Sequence, residues 1–144
     1  MSRRYWEKQV RRYSGRGTSR FGRGIIKAEF GAAASLWNSY IEPVDGWVLD
    51  LGAGSGNFYS DLGFPKKLVM LDIARSYPSL PGAIRVNADA RSTPFKENTF
   101  AALVSLGLSE YIMDMQSALN IWRSLVYPGG KLLLTGRPVH SQIT

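Results

Sequence analysis

Five short apolar runs set the possible fold of this chain: WVLDL (47–51), KLVMLDI (67–73), AIRVNA (83–88), FAALVSL (100–106) and KLLLTG (131–136). Their apolar residues are nearly unbroken instead of alternating, as in strands covered on both faces, so they predict a parallel sheet between helical layers. Helical or turn segments separate the runs, which makes the fold class a doubly wound α/β sheet. No internal repeat interrupts that order.

The connections carry their own signals. After the fourth run Asp114 can cap a helix, and Met115, Ala118, Leu119, Trp122, Leu125 and Val126 share one face before Pro128-Gly129-Gly130 stops it. Trp122 on that stripe reads as core, and Pro94, Phe95 and Phe100 read as turn and core. Between Ile25 and Ile41 the residues Ile26, Phe30, Ala33, Trp37 and Ile41 recur with helical period, and Pro43 and Asp45-Gly46 end the segment. Two crossovers are lean. Barely two helical turns fit between Gly56 and the second run, and Pro78 and Pro81 forbid a long helix before the third.

Charge divides the chain unevenly. Residues 1–30 hold nine Lys or Arg against Glu7 and Glu29, which accounts for the whole net charge of +7. RRYWEKQVRRY (3–13) predicts a short helix and SGRGTSRFGRG after it a loop, so residues 1–24 read as a basic arm or cap on a domain of 25–144. At 144 residues one core is expected. No cysteine is present, which excludes disulfides, thiolate metal sites and a cysteine nucleophile. No apolar run approaches the roughly 18 residues a bilayer requires, so the expectation is a soluble cytoplasmic protein without a membrane partner.

The ligand crevice of such a sheet lies beyond the carboxyl ends of its strands. Asp50 ends the first run and Gly52, Gly54 and Gly56 follow it; Asp72 ends the second run 22 residues later, and Asp89 follows the third. Dinucleotide loops space their glycines G-x-G-x-x-G and set pyrophosphate on a full helix. Here the spacing is G-x-G-x-G with a short helix behind, better suited to a ligand without phosphates.

VLDLGAGSGNF, VMLDIA, NADARSTPFKENTFAALVSLGLSEYI and ALNIWRSLVYPGGKLLL together resemble the successive motifs of class I S-adenosylmethionine-dependent methyltransferases, from about Val48 to Leu134. RYWEKQVRRYS is similar to the start that many small-molecule members place over the cofactor. The resemblance implies a Rossmann-like, mostly parallel sheet in the order 3-2-1-4-5. It also implies roles. Gly52, Ala53, Gly54 and Gly56 would line the methionine part of S-adenosylmethionine, with Asp50 facing its amino group. Asp72 would take the ribose hydroxyls, Ile73 would pack on adenine, Asp89 and Ala90 would bind the adenine edge, and carbonyls near Ser105 and Leu106 would meet the ammonium. Acids and carbonyls suit a ligand bearing an ammonium and a sulfonium.

Methyl transfer from a sulfonium is an in-line displacement, so catalysis rests largely on positioning, with a base needed only where the acceptor loses a proton. Glu110, Tyr111 and His140 are the weak candidates for one. The sequence has SLGLSEYI where amino-methylating relatives carry an Asn/Asp-Pro-Pro-aromatic turn, and no metal is implied. The resemblance also implies a helix and two further strands after the fifth, whereas the sequence ends eight residues after Gly136. A truncated domain is expected, or else a second copy or partner chain over the fifth strand. The preferred acceptor is a small molecule, enclosed by Tyr5, Trp6, Tyr13 and Phe21. The alternatives are RNA held by the basic arm, or a non-catalytic cofactor-binding subunit.

Overall fold

The strands β1 (Val48–Leu51), β2 (Leu68–Asp72), β3 (Ala83–Asn87), β4 (Phe100–Leu106) and β5 (Val126–Thr135) form one parallel sheet in the order β3-β2-β1-β4-β5. This is a computed structural model, describing residues 2–14, 30–63, 65, 67–78 and 80–136. The strand order reverses at β1, which lies between β2 and β4, so the crevice opens at the carboxyl end of β1. The expected fold class and order are observed.

Period-two burial builds a core on each face. On one face Val48, Leu68, Met70, Ala102 and Val104 pack with Trp37, Ile41, Phe58 and Tyr59. On the other, Leu49, Leu51, Val69, Leu71 and Leu103 pack with Ala118, Trp122 and Leu125. Every residue of β1 and β2 is buried, which is why those runs show no polar alternation.

Four helical elements cover the sheet. α1 (Arg3–Ser14) is the predicted N-terminal helix, and α2 comprises residues 30–36 continuing into a π-helical turn, Trp37–Ile41. The widened turn lets Glu42 N–H donate to the Trp37 carbonyl at 2.9 Å while Trp37 and Ile41 stay buried. α3 is a single turn (Tyr59–Leu62), and α4 (Met115–Leu125) starts at Asp114, whose carboxylate accepts from Ser117 N–H. No helix joins β2 to β3 among the described residues, as Pro78 and Pro81 require. The boundary proposed at residue 24 and the loop before it lie outside the described residues.

β5 departs from expectation. It begins at Val126, five residues before the predicted Lys131: the helix ends at Leu125, Val126 is extended instead of lying on the helical stripe, and Pro128-Gly129-Gly130 forms an irregularity inside the strand instead of stopping the helix. Phe100 pairs with Val126 and Ala102 with Lys131, so one strand gains residues that the other lacks. Gly130 makes this fold-back possible: a Cβ there would lie 2.2 Å from a Val126 methyl and 2.7 Å from the Ala101 carbonyl oxygen.

Candidate functional site

The loop after β1 turns away from the strand on glycines. Gly52, Gly54 and Gly56 adopt φ of 70°, 55° and 79°, a region other residues avoid. Neighbours pack close on both flanks. A Cβ on Gly52 would meet Leu108 at 3.2 Å, and one on Gly54 would touch the Tyr77 ring at 3.7 Å.

Two acids sit beneath this loop on the α2–α3 side of the sheet. Asp50 is 3% exposed, and Tyr59 Oη donates to its Oδ2 at 2.8 Å. Burial outweighs that hydrogen bond and pushes the Asp50 carboxyl up to about 7; Asp72 pushes the same way and Arg85 opposes it. Tyr59 is raised well above its ordinary value by burial and by the adjoining carboxylate. Asp72 accepts from Gly54 N–H through Oδ2 and from Ala74 N–H through Oδ1, both at 2.9 Å. These amides favour its charged form, yet desolvation still raises it.

Asp89 follows β3 as expected, but its carboxylate forms a forked pair with Arg91, the shortest contact 2.6 Å, which holds it below the usual range. The buried Ala90 offers its carbonyl to Trp122 Nε1 at 2.8 Å, tying α4 to the loop after β3. The Ile73 carbonyl accepts from Arg3 Nε and Asn87 Nδ2, each at 3.1 Å. Ser105 is buried with its hydroxyl unpartnered among the described residues, on the α4 side of the sheet, where a cleft of about 360 Å³ runs between Met115, Leu119 and Leu134. Leu106 ends β4, and Gly107 (φ 76°) turns the chain into a 3₁₀ turn, Leu108–Tyr111, that carries Glu110. His140 lies outside the described residues.

α1 crosses this crevice. Glu7 accepts from Arg75 N–H at 2.5 Å and from the Ser76 hydroxyl, on the connection that follows β2. Trp6 meets Tyr111, beyond β4, edge to face at 4.7 Å. Contacts thus join Asp72 to the glycine loop, and α1 to Ile73 and Tyr111, at the carboxyl ends of β1, β2 and β4, where Asp50 also lies. Asp89 and Ala90 lie at the β3 side of this crevice.

A family model for the methyltransferase domain matches residues 49–134, more than half of the chain. The chain belongs to this methyltransferase family. Among curated proteins no sequence match was found. Solved structures agree on the fold. A protein from Methanococcus maripaludis assigned as an S-adenosylmethionine-dependent methyltransferase aligns over 90% of this chain and 63% of its own, at 17% identity and TM-score 0.70. An S-adenosylmethionine-dependent methyltransferase from Mesorhizobium loti aligns over 75% and 55%, at 19% identity and TM-score 0.62. The [4+2]-cyclase SpnF aligns over 78% and 48%, at 16% identity and TM-score 0.63. The chain therefore spans about half to two thirds of the length of these proteins, and likeness at such identity concerns the fold alone.

The cofactor of the methyltransferase family is S-adenosylmethionine, and the local chemistry fits it. Burial raises the Asp50 carboxyl to about 7, so an ammonium beside it would favour its ionised form. No group of three or more His, Cys, Asp or Glu able to hold a metal exists among the described residues. No helix among them is long and apolar enough to cross a membrane.

Three residues that contact Asp50 or the glycine loop were not predicted. Tyr59 is hidden in SGNFYSDL as one more aromatic. Arg85 had a signal, a lone cation between Ile84 and Val86 in an apolar run. Leu108 had none, because its contact with Gly52 depends on the turn at Gly107.

Proposed function

We propose that this chain is the cofactor-binding unit of a cytoplasmic S-adenosylmethionine-dependent methyltransferase acting on a small-molecule acceptor, with α1 as the cap of its crevice. The observation that carries this reading is how α1 uses its side chains. Glu7 and Arg3 bind the segment after β2, and Trp6 packs on Tyr111 after β4, so the helix bridges the crevice. An RNA-binding arm would turn its aromatic rings outward for base stacking, as Tyr5 is turned here but Trp6 is not. A ring packed at 4.7 Å against another favours enclosure of something small.

In this reading Asp50 takes the ammonium of the methionine moiety, with carbonyls near Ser105 and Leu106 beside it. The glycine loop lets the ligand approach the backbone, and Asp72 keeps free acceptor capacity for a ribose diol, since each carboxylate oxygen has a second lone pair. Ile73, Asp89 and Ala90 border the adenine. The cofactor, when bound, supplies an electrophilic methyl group. The protein's part is then to fix the acceptor in line and exclude water. Tyr111 and Glu110 border the reacting side; His140 is the remaining candidate base.

We further infer that a second copy of this chain or a partner chain covers β5, whose Leu132 and Leu134 are 41% and 37% exposed on the α4 side. The functional reading is tested with the purified full chain and radiolabelled S-adenosylmethionine, offered small amines, phenols and acids in parallel with total RNA. Label transfer to a small molecule, weakened by Trp6→Ala, is expected. Transfer to RNA alone, or RNA binding that steepens at low salt and is lost without residues 1–23, would replace this reading by the RNA enzyme.

A further inference from the structure

Arg85 is an odd residue for its place. It stands in the middle of β3, opposite Met70 of β2 and between Ile84 and Val86, and desolvation there opposes its charge. A cation in such a position must be matched by strong partners, and the structure supplies them. Nη2 donates to the Gly54 carbonyl at 2.8 Å and Nε to the Pro78 carbonyl at 3.1 Å, while the guanidinium lies 5.7 Å from the centre of the Tyr77 ring. Nη1 is buried without a partner among the described residues.

We propose that Arg85 is a positioning residue for the cofactor: it clamps the glycine loop through Gly54 and supplies the counter-charge to the carboxylates of Asp50 and Asp72. The proposal rests on the reading that this loop holds S-adenosylmethionine. Gly54 is gripped at both of its polar atoms, N–H by Asp72 of β2 and C=O by Arg85 of β3. The need for the clamp follows from the lean crossovers. Only the single turn α3 follows the loop, and among the described residues the proline-bearing connection from β2 to β3 has no helical ladder to satisfy its carbonyls. Two same-face side chains of β3 do so instead: Arg85 for Pro78, and Asn87 for Asp72 and Ile73.

Charge is the second half of the argument. Tyr59, Asp72 and Arg85 act on Asp50, and Arg85 and Glu7 act on Asp72; Tyr77 feels the same acids. Arg85 alone in this set is a cation. Ligand binding needs both carboxylates ionised, and one nearby guanidinium then leaves a single net negative charge, which matches one ammonium from the ligand. Without Arg85 nothing in this set offsets the repulsion between the two acids, and the proton that burial already favours on Asp50 becomes harder to displace by that ammonium.

The test uses the full chain with Arg85→Met and Arg85→Lys. Binding of S-adenosylhomocysteine is measured by calorimetry from pH 5.5 to 8.5, together with hydrogen exchange of the loop amides in the ligand-free protein. Arg85→Met is expected to weaken binding by about tenfold or more at pH 7.5, to move the midpoint of the affinity–pH profile upward, and to speed exchange at Gly54 and Gly56. Arg85→Lys is expected to hold the midpoint near that of the parent while still loosening the loop, because an ammonium supplies charge but not a planar fork. Parent-like binding, midpoint and exchange in both variants would overturn the proposal, as would equal weakening in both with an unmoved midpoint, the mark of a purely structural residue. Arg85→Lys decides the matter if Arg85→Met fails to fold. Failure of the parent chain itself to bind S-adenosylhomocysteine counts against the cofactor reading, and the exchange data then judge the clamp separately.

Discussion

Asp50 is where burial and ligand chemistry meet most directly. Its carboxyl is raised from the ordinary carboxylate range to about 7 by desolvation, so below that pH the folded ligand-free protein favours the protonated acid. The sign follows from linkage. Stability contributed by this group is complete below the unfolded value and declines as pH rises through about 7, by up to about 4 kcal/mol for the full shift. In the proposed role of Asp50, binding an ammonium runs the other way, since it requires the carboxylate. Affinity for S-adenosylhomocysteine is therefore expected to rise about tenfold per unit from pH 5 to about 7 and then level, as read by calorimetry. Tyr59→Phe removes a hydrogen bond that lowers this pKa, so the profile should move to higher pH, with a loss of about tenfold at pH 7 and little at pH 8.5. A flat profile in the parent would remove Asp50 from the site. Asp50, Asp72 and the three glycines were legible in the sequence because a crevice at strand ends demands acids and permissive backbone at those positions. Tyr59 and Leu108 were not, since their roles arise from contacts made only after the loop closes. Asp89 was legible by position, whereas its forked pair with Arg91 depends on a local turn.

At the scale of elements, the helices report how much order each one adds. α4 has an amphipathic stripe, a capping Asp114 and a buried Trp122, and sequence and structure agree on it to the residue at its start. Asp114→Ala removes the bond to Ser117 N–H and should lower the denaturant unfolding midpoint with an unchanged slope. A change in slope instead would mean that α4 helps to define the compactness of the whole unit. α1 is held by contacts that span the ends of β2 and β4, and its removal should affect the ligand more than the fold. Trp6→Ala is expected to weaken S-adenosylhomocysteine binding several-fold while shifting the unfolding midpoint little, because Trp6 meets Tyr111 at the crevice and not in either core. A large loss of stability with unchanged binding would make α1 a structural helix. β5 was the element least legible in advance. Pro-Gly-Gly reads locally as a stop signal, yet pairing to β4 on both sides of it recruits Val126–Thr135 into one irregular strand, a tertiary override of turn chemistry.

For the molecule as a whole, the asymmetry of the sheet decides the next question. β1, β2 and β4 are covered on both faces, whereas β5 buries Leu133 towards the α2–α3 side and leaves Leu132 and Leu134 half open towards the α4 side. Its outer edge pairs with no other strand among the described residues. A ten-residue edge strand with exposed leucines is a template for association, and natural sheets usually blunt or cover such an edge. If a second copy covers it, light scattering at tens of micromolar should report a dimer. Leu132→Lys should return it to monomer, because burying an unpaired ammonium at that interface costs several kcal/mol. Cofactor affinity should survive the substitution, since Leu132 faces away from Asp50 and the glycine loop. A monomeric parent that stays soluble and binds S-adenosylhomocysteine would rule out self-association as the cover. A monomeric parent that aggregates until a partner is supplied would instead assign the cover to a different chain.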